Sequence, residues 1–448
     1  MRDEILGRDP IPSLIVRFSG PAIVALLAHA LYNITDRVFV GRAVGSSGLA
    51  ALSLAFPFML AFISWGLVCG VGTSARMAIS LGASDREGAR RYLGNGILMA
   101  LVGSVVMLAL GFWGMEGLLR SQGGSGEILP MAQRYLRVIL LGAPFSVLGM
   151  TFTPVLRPMG RPNTAMGIQL VGAFLNIALD WWWVMVLHMG VEGAAWATVA
   201  SQVVQAFLGA ALVLNSSRIR PRHMVPEPSR MGRIFSVGLP SGLTEMGFTI
   251  VIAIMNRQVK LYGGDAGLSA LGIFFGLDAL FFLPAIGVGE GAQPIIGYNY
   301  GAGNLQRVRR AIWTAVGYAV GYFCLSLLLV QIFAPELVSL FVKDDPVLLD
   351  MAAWGLRVSY AGAPMAGMSI TAAYYFQGIG NWRAGLITAM CRIVIFVMIP
   401  LMILPPIMGI TGVWASLPVA DVGGCMLGFL MVRRSLRSIG ACDPSGPA

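Results

Sequence analysis

The stretch 21-PAIVALLAHALYNITDRVFVGRAVGSSGLAALS-53 is written a second time as 240-PSGLTEMGFTIVIAIMNRQVKLYGGDAGLSALG-272. The two copies align without a gap at an offset of 219, which sets Pro21 on Pro240, Val40 on Val259 and Gly45 on Gly264. At the same offset 83-ASDREGARR-91 falls on 302-AGNLQRVRR-310, and 190-GVEGAAWA-197 on 409-GITGVWAS-416. A duplication of this length in so apolar a chain is the signature of membrane transporter folds.

Of the 448 residues 56% are hydrophobic and only 12% charged, which removes the chain from the soluble globular range. Runs such as 94-GNGILMALVGSVVMLALGFWGM-115 and 311-AIWTAVGYAVGYFCLSLLLVQIF-333 supply the roughly 20 uncharged residues a helix needs to cross the hydrocarbon core. Twelve such spans are predicted, at 14–40, 48–75, 93–115, 132–155, 163–187, 190–214, 233–262, 266–297, 309–333, 348–377, 384–408 and 410–432. The expected fold is an all-α membrane protein with twelve transmembrane helices in two parallel six-helix repeats. Residues 1–214 form the first lobe, 215–232 a polar, basic linker and 233–448 the second lobe. Because each copy has an even number of spans, both enter from one side, and a pseudo-twofold axis along the membrane normal relates them.

The net charge of +10 would suggest nucleic acid in a soluble protein, but position explains it here. Arg2, Arg8, Arg86, Arg90, Arg91, Arg157, Arg161, Arg218, Arg307, Arg309 and Arg310 all fall in tails or loops of one parity, and Arg42, Arg120, Lys260 and Lys343 are the main exceptions. The positive-inside rule then predicts both termini in the cytoplasm. The first span has no small-residue cleavage site and belongs to the repeat, so it does not read as a removable signal peptide. Cys69, Cys324, Cys391, Cys425 and Cys442 show no paired spacing and read as structural. Prolines inside spans, including Pro21, Pro154, Pro240, Pro294 and Pro364, permit kinks.

A charged side chain in the hydrocarbon layer costs at least ~3 kcal/mol, so each one needs a partner or a function. Asp36 lies near the outer end of the first span, and Asp180, in 174-FLNIALDWWW-183, precedes the hairpin of spans five and six. If that hairpin turns around Met189, Asp180 and Thr198 stand nine residues to either side of it and share one depth, with Asn176 a turn below Asp180. Two carboxylates, a carboxamide and a hydroxyl make an all-oxygen set suited to sodium or to a proton. Two close carboxylates repel as anions, and either ion relieves that repulsion. The competing reading is a hydrogen-bond knot that only joins helices.

His29 and Asn33 share a face with Asp36 and are candidates for a proton relay. Glu245, Asp278 and Glu290 are the corresponding substrate or proton candidates of the second copy, with pairing to Arg257, Arg357 or Arg392 as the structural alternative. Trp181, Trp182 and Trp183 read as an aromatic belt at the outer interface.

The segments LYNITDRVFVGR, QPIIGYNYGAGN and NIALDWWWVMVLHMGVEGAAWATVASQ together resemble the multidrug and toxic compound extrusion (MATE) family, with the MepA-like and DinF-like bacterial branch nearest. The resemblance runs over nearly the whole chain. It implies a MOP-superfamily fold and a first-span aspartate, here Asp36, at the centre of ion coupling, with Asn176, Asp180 and Thr198 as its partners. Glu245 resembles the seventh-span glutamate of other branches. A match to the tenth-span aspartate of the NorM-like branch is lacking, and 371-TAAYYFQGIG-380 stands there instead.

The resemblance further implies efflux of organic, often cationic compounds from the bacterial inner membrane by antiport against H+ or Na+. No cofactor beyond the coupling ion and no enzymatic activity are expected. The expected partners are small organic substrates and the lipid bilayer, with the chain a monomer and without nucleic acid. A flippase for lipid-linked saccharides of the same superfamily is the alternative, and it would need several cavity-facing basic residues for pyrophosphate. No P-loop GxxxxGK[ST] is present, in keeping with transport that does not use ATP.

Overall fold

In a computed structural model, which describes residues 4–217, 219–342 and 345–440, the chain is helical and contains no strand among the described residues. Arg2, Arg218, Lys343 and Cys442 lie outside the described residues. A single turn, α1 (Ile5–Arg8), leads into α2 (Ile11–Val44), α3 (Ser46–Gly82), α4 (Arg86–Ser121), α5 (Ile128–Leu156), α6 (Pro162–Asp180) and α7 (Gly190–Ser217). The second copy follows as α8 (Pro228–Gly301), α9 (Leu305–Ser339), α10 (Pro346–Tyr360), α11 (Ala363–Gly378), α12 (Trp382–Met390), α13 (Ile399–Met408) and α14 (Ile410–Gly440).

Ten of these helical stretches are long and apolar enough to cross a bilayer, against twelve predicted spans. Both discrepancies have a local cause. The seventh and eighth spans run together as α8, but the 74-residue helix is broken at Gly264, whose φ of 61° and ψ of −151° lie outside the helical region. The tenth span, predicted over 348–377, divides into α10 and α11, each too short to count alone. Pro364 occupies the first turn of α11, where its missing N–H costs nothing. Gly362, at the break, lies so near the backbone of Pro418 that an added Cβ would come within 2.6 Å of its Cα. Counted in this way, all twelve spans are present, and the protein is a multi-pass membrane protein.

The duplication seen in the sequence is repeated in the backbone. Gly45 and its counterpart Gly264 both take positive φ, at 80° and 61°, and Gly190 and Gly409 do so at 60° and 61°. These left-handed turns separate the first span of each copy from the second, and the fifth from the sixth, where a side chain would be strained. Asp85 and Asn304, also 219 apart, share φ −85° and ψ 76°; each side chain caps its helix by accepting the amide of the residue three on, Gly88 at 2.7 Å and Arg307 at 3.2 Å. A π-helical stretch interrupts the fifth span of each copy, at Trp181–Val186 and at Cys391–Met398. Such wider turns recur at functional sites.

By internal contacts the chain forms two compact units: Met1–Leu6 with Val24–Gly242, and Gly7–Ile23 with Leu243–Ala448. The unit boundaries fall inside α1, α2 and α8, and the linker at 215–232 lies within unit 1. In unit 1, α3, α4, α5 and α7 pack around Phe62, Tyr135, Leu136, Leu140 and Val147. In unit 2, α9, α10, α11 and α14 surround Phe274, Phe323, Tyr360 and the fully buried Trp414. With lipid tails as apolar as the side chains, such packing rests on close van der Waals contact and interhelical hydrogen bonds.

The linker is fastened to unit 1. Asn95 in α4 accepts the Glu227 amide at 2.7 Å and donates to the Val225 carbonyl at 3.2 Å, and the Arg90 Nε donates to the Ser217 carbonyl at 3.0 Å. His223, buried in the 3-10 turn Pro221–Met224, accepts the Arg220 amide at 2.8 Å and lies 3.3 Å from a carboxylate oxygen of Glu87. Outside the membrane spans, the 2.6 Å hydrogen bond from Arg230 holds the Glu227 carboxyl below its ordinary value.

Candidate functional site

Unit 1 brings together the four residues singled out for ion coupling. Asp180 closes α6 with 0% exposure, Asn176 lies one turn earlier on the same face, Thr198 comes from α7 and Asp36 from the C-terminal half of α2, and all four are buried. Asp36, Asp180, Tyr32 and Tyr135 are electrostatic neighbours within this unit.

The one direct hydrogen bond within the four runs from Asn176 Nδ2 to Thr198 Oγ1 at 3.4 Å. The expected register paired Thr198 with Asp180; the observed partner is Asn176, one turn deeper. The π-helical stretch that follows Asp180 packs more residues into each turn, so Asp180 stands nearer the hairpin than simple counting places it.

Four side-chain oxygens here are buried without any hydrogen-bond partner: Asp36 Oδ1, Asn176 Oδ1, and both Oδ1 and Oδ2 of Asp180. An unpartnered buried polar atom is costly, and one on a carboxylate more so. A donor set of carboxylate, carboxamide and hydroxyl oxygens fits a hard monovalent cation or a proton. Among the described residues no group of three or more His, Cys, Asp or Glu side chains could hold a metal ion. A transition-metal centre therefore does not fit here, whereas sodium on two carboxylates with amide and hydroxyl support does.

The remaining first-copy candidates are placed differently. Asn33 spends its amide on the carbonyl of His29, at 2.8 Å, one turn back along its own helix. The exposed His29 ring stacks edge-on against Tyr32 at 4.8 Å. Tyr32 and Tyr135 are electrostatic neighbours of the two carboxylates, and neither is among the candidates expected from the sequence. Tyr135 sits between Arg134 and Arg137 in an otherwise apolar span, a pattern that reads as an interfacial aromatic, yet it is buried with its hydroxyl 3.7 Å from Met59 Sδ. Trp181 and Trp182 are about half exposed, as an outward-facing belt requires.

In unit 2 the three candidate carboxylates do not converge. Glu245 and Glu290 are half-buried in α8, and only Asp278 lines the cavity of about 140 Å³ in this unit. Asp278 Oδ1 accepts the Tyr360 hydroxyl at 2.8 Å. Arg392 is 3.8 Å from Asp421, a carboxylate in the last span that the sequence reading missed, and it stacks 5.5 Å from the Phe282 ring centre. The signal was available, since Asp421 is an acid within 410-ITGVWASLPVADVGGCMLGFL-430. In place of the direct arginine pairing that was the structural alternative for Asp278, the structure shows a tyrosine hydrogen bond, with Arg392 and Asp421 lining the same cavity.

Comparison with known proteins agrees with this architecture. The chain is 28% identical over 459 residues to the multidrug export protein MepA of Staphylococcus aureus (strain MRSA252), with 99% of each chain covered. It is 26% identical over 438 residues to the protein of the same name from Staphylococcus saprophyticus, covering 96% of each. Among solved structures, a MATE transporter in complex with MaL6 superposes with a TM-score of 0.93 at 27% identity over 98% of this chain and 100% of the other. A MOP superfamily transporter from Pyrococcus furiosus, described as having a binding pocket of reverse polarity, superposes with a TM-score of 0.92 at 27% identity over 98% and 99%. The MatE family model matches twice, at residues 21–182 and 240–403, one match for each copy of the repeat. The chain belongs to the MatE family.

Proposed function

We propose that this protein exports organic, often cationic compounds across a bacterial inner membrane by secondary antiport, exchanging them for inward H+ or Na+. In this reading Asp36, Asn176, Asp180 and Thr198 bind the coupling ion, and both termini lie in the cytoplasm. The observation that carries it is the group of four unpartnered buried oxygens on Asp36, Asn176 and Asp180. A cluster that only joined helices would satisfy its own oxygens; a binding site leaves them for its ligand. The relatives described as multidrug export proteins support the same class of cargo.

Moving one charge inward is worth about 2.3 kcal/mol per 100 mV, enough to drive a substrate uphill without ATP. The flippase alternative calls for several unpaired basic residues in a cavity. In the unit 2 cavity the one arginine faces two carboxylates, which favours cations over pyrophosphate.

The test is substrate flux in proteoliposomes under separately imposed sodium and proton gradients. Stimulation by one of the two gradients is expected. No stimulation by either overturns the antiport reading.

A further inference from the structure

The arginines that open the third span recur across the duplication, but their partners do not. Arg90 and Arg91 of unit 1 correspond to Arg309 and Arg310 of unit 2 at the offset of 219. The first pair is neutralised: Glu87 lies 3.6 Å from Arg90 and 3.8 Å from Arg91, and Glu227 lies 3.3 Å from Arg91. At the counterpart of Glu87 stands the neutral Gln306, and among the described residues no carboxylate is within ion-pair distance of Arg309 or Arg310. The linker also covers this end of unit 1, where a Cβ on Gly94 would run into the His223 carbonyl. The counterpart of Gly94 is Trp313.

The packing of α9 and α14 shows what Trp313 faces. Both helices pack on α11, α9 through buried residues that include Ile312, Ala315 and Ala319. α14 is fixed there by Gly428, whose added Cβ would meet Ala372 at 3.1 Å, and by the Ser435 hydroxyl, 3.0 Å from that of Tyr375. One position along from these packed stripes, Trp313 of α9 and Phe429 of α14 meet with ring centres 5.8 Å apart. Arg309 and Arg310 stand one turn before Trp313, Arg433 one turn after Phe429 and Arg437 a turn beyond that, so all four flank the same end of one furrow. All four are exposed, and Arg433 and Arg437 likewise have no carboxylate within ion-pair distance among the described residues. On the other side of the ring pair, Gly317 and Gly321 leave α9 open, with no atom within 4 Å of an added Cβ.

We propose that this furrow binds one anionic phospholipid, with its phosphate held by Arg309, Arg310, Arg433 and Arg437 and its glycerol and first methylenes lying on Trp313 and Phe429. Basic residues grouped between membrane helices at the headgroup level recognise anionic lipid, and aromatic side chains mark that level. A soluble acidic partner would reach the arginines and leave Phe429, 40% exposed, without a contact. Residues 441–448 bring one acidic side chain, Asp443, against four guanidinium groups. The inference lies beyond the export reading and does not depend on it, since binding needs no gradient and no cargo.

The probe is phosphatidylglycerol brominated on its acyl chains, at rising mole fraction in phosphatidylcholine nanodiscs that hold the full chain. Bromine quenches tryptophan fluorescence on contact, and the difference between the protein and its Trp313→Phe variant isolates Trp313. Half-maximal quenching should need at least about fivefold less brominated phosphatidylglycerol than brominated phosphatidylcholine. Arg309→Gln with Arg310→Gln should abolish this preference, and so should Arg433→Gln with Arg437→Gln, at about fivefold for each charge removed. Arg309→Lys with Arg310→Lys keeps the charge and should keep the preference. Arg86→Gln with Arg91→Gln removes as much charge from unit 1 and should leave the preference intact.

Equal quenching by the two lipids would overturn the proposal. An equal loss in the unit 1 double variant would also overturn it, by showing that net charge alone gathers the lipid. Relief of the quenching by millimolar inorganic phosphate would do so too, by assigning the arginines to a soluble anion. If Trp313→Phe fails to fold, total quenching decides with the same arginine variants: a phosphatidylglycerol preference lost only in the unit 2 pairs supports the site, and any other pattern refutes it.

Discussion

The two units share a backbone and differ in where they place charge. The turns at Gly45 and Gly264, and the caps at Asp85 and Asn304, match to within about 20° across the 219-residue offset. The chemistry does not match. Asp36 falls on Met255, Asn176 on Ile395, Asp180 on Ile399 and Thr198 on Leu417, all apolar. Conversely Asp278 falls on Met59, Arg392 on Ala173 and Asp421 on Gln202. Duplication supplied two copies of one scaffold, and each carries polar groups where the other carries none or only a neutral one. Both clusters nevertheless draw on the fifth and sixth spans of their copy, where the π-helical stretch turns side chains off the regular helical register.

The comparison can be broken most severely by removing charge from unit 1. Asp36→Asn should lower gradient-driven efflux at least about 100-fold, or ~2.7 kcal/mol, with normal protein level in the membrane; drug resistance in a pump-deficient host reads it out. Asp180→Asn should follow closely, because it removes one of the two repelling carboxylates and leaves Asn176 and Thr198 in place.

Placing the acid in the wrong copy tests the asymmetry from the other side. Met255 is 1% exposed, so Met255→Asp buries a carboxylate at the counterpart of Asp36 without the counterparts of its partners. It should destabilise unit 2 by ~3 kcal/mol or more, seen as a lowered melting temperature in detergent.

Shared features should respond alike. Gly45→Ala and Gly264→Ala meet no atom within 4 Å, so each pays only for positive φ, about 1 kcal/mol, and the two thermal shifts should be equal. The smallest effect belongs to the linker clamp, where Glu227→Ala removes a partly exposed pair with Arg230 and should cost less than about 1 kcal/mol in the same melting assay.

Much of this molecule was legible before any coordinates. Apolar run length fixes the spans because a helix satisfies all its backbone polar groups within one segment in lipid, where the other solution, a closed β-barrel, needs short alternating strands. Asp36 and Asp180 stood out because ionisable groups in such runs are expensive. What escaped depended on local geometry. The π-helical stretch after Asp180 shifts the hairpin register by a turn, and nothing in WWWVMV announces it. Tyr32 and Tyr135 look like ordinary aromatics in a run and reveal themselves only by closeness to the carboxylates. Asn33 has the right spacing for the site, but its amide goes to the His29 carbonyl. The break between α10 and α11 arises where Gly362 meets Pro418, a tertiary contact that periodicity does not carry.

The division of chemistry between the units is tested most directly by gradient dependence of flux in two variants, Asp36→Asn and Asp278→Asn, reconstituted side by side. The account predicts that Asp36→Asn loses all response to an imposed proton or sodium gradient, whereas Asp278→Asn keeps the response and needs more substrate to reach half-maximal flux. Gradient-driven flux that survives in Asp36→Asn and vanishes in Asp278→Asn would contradict it.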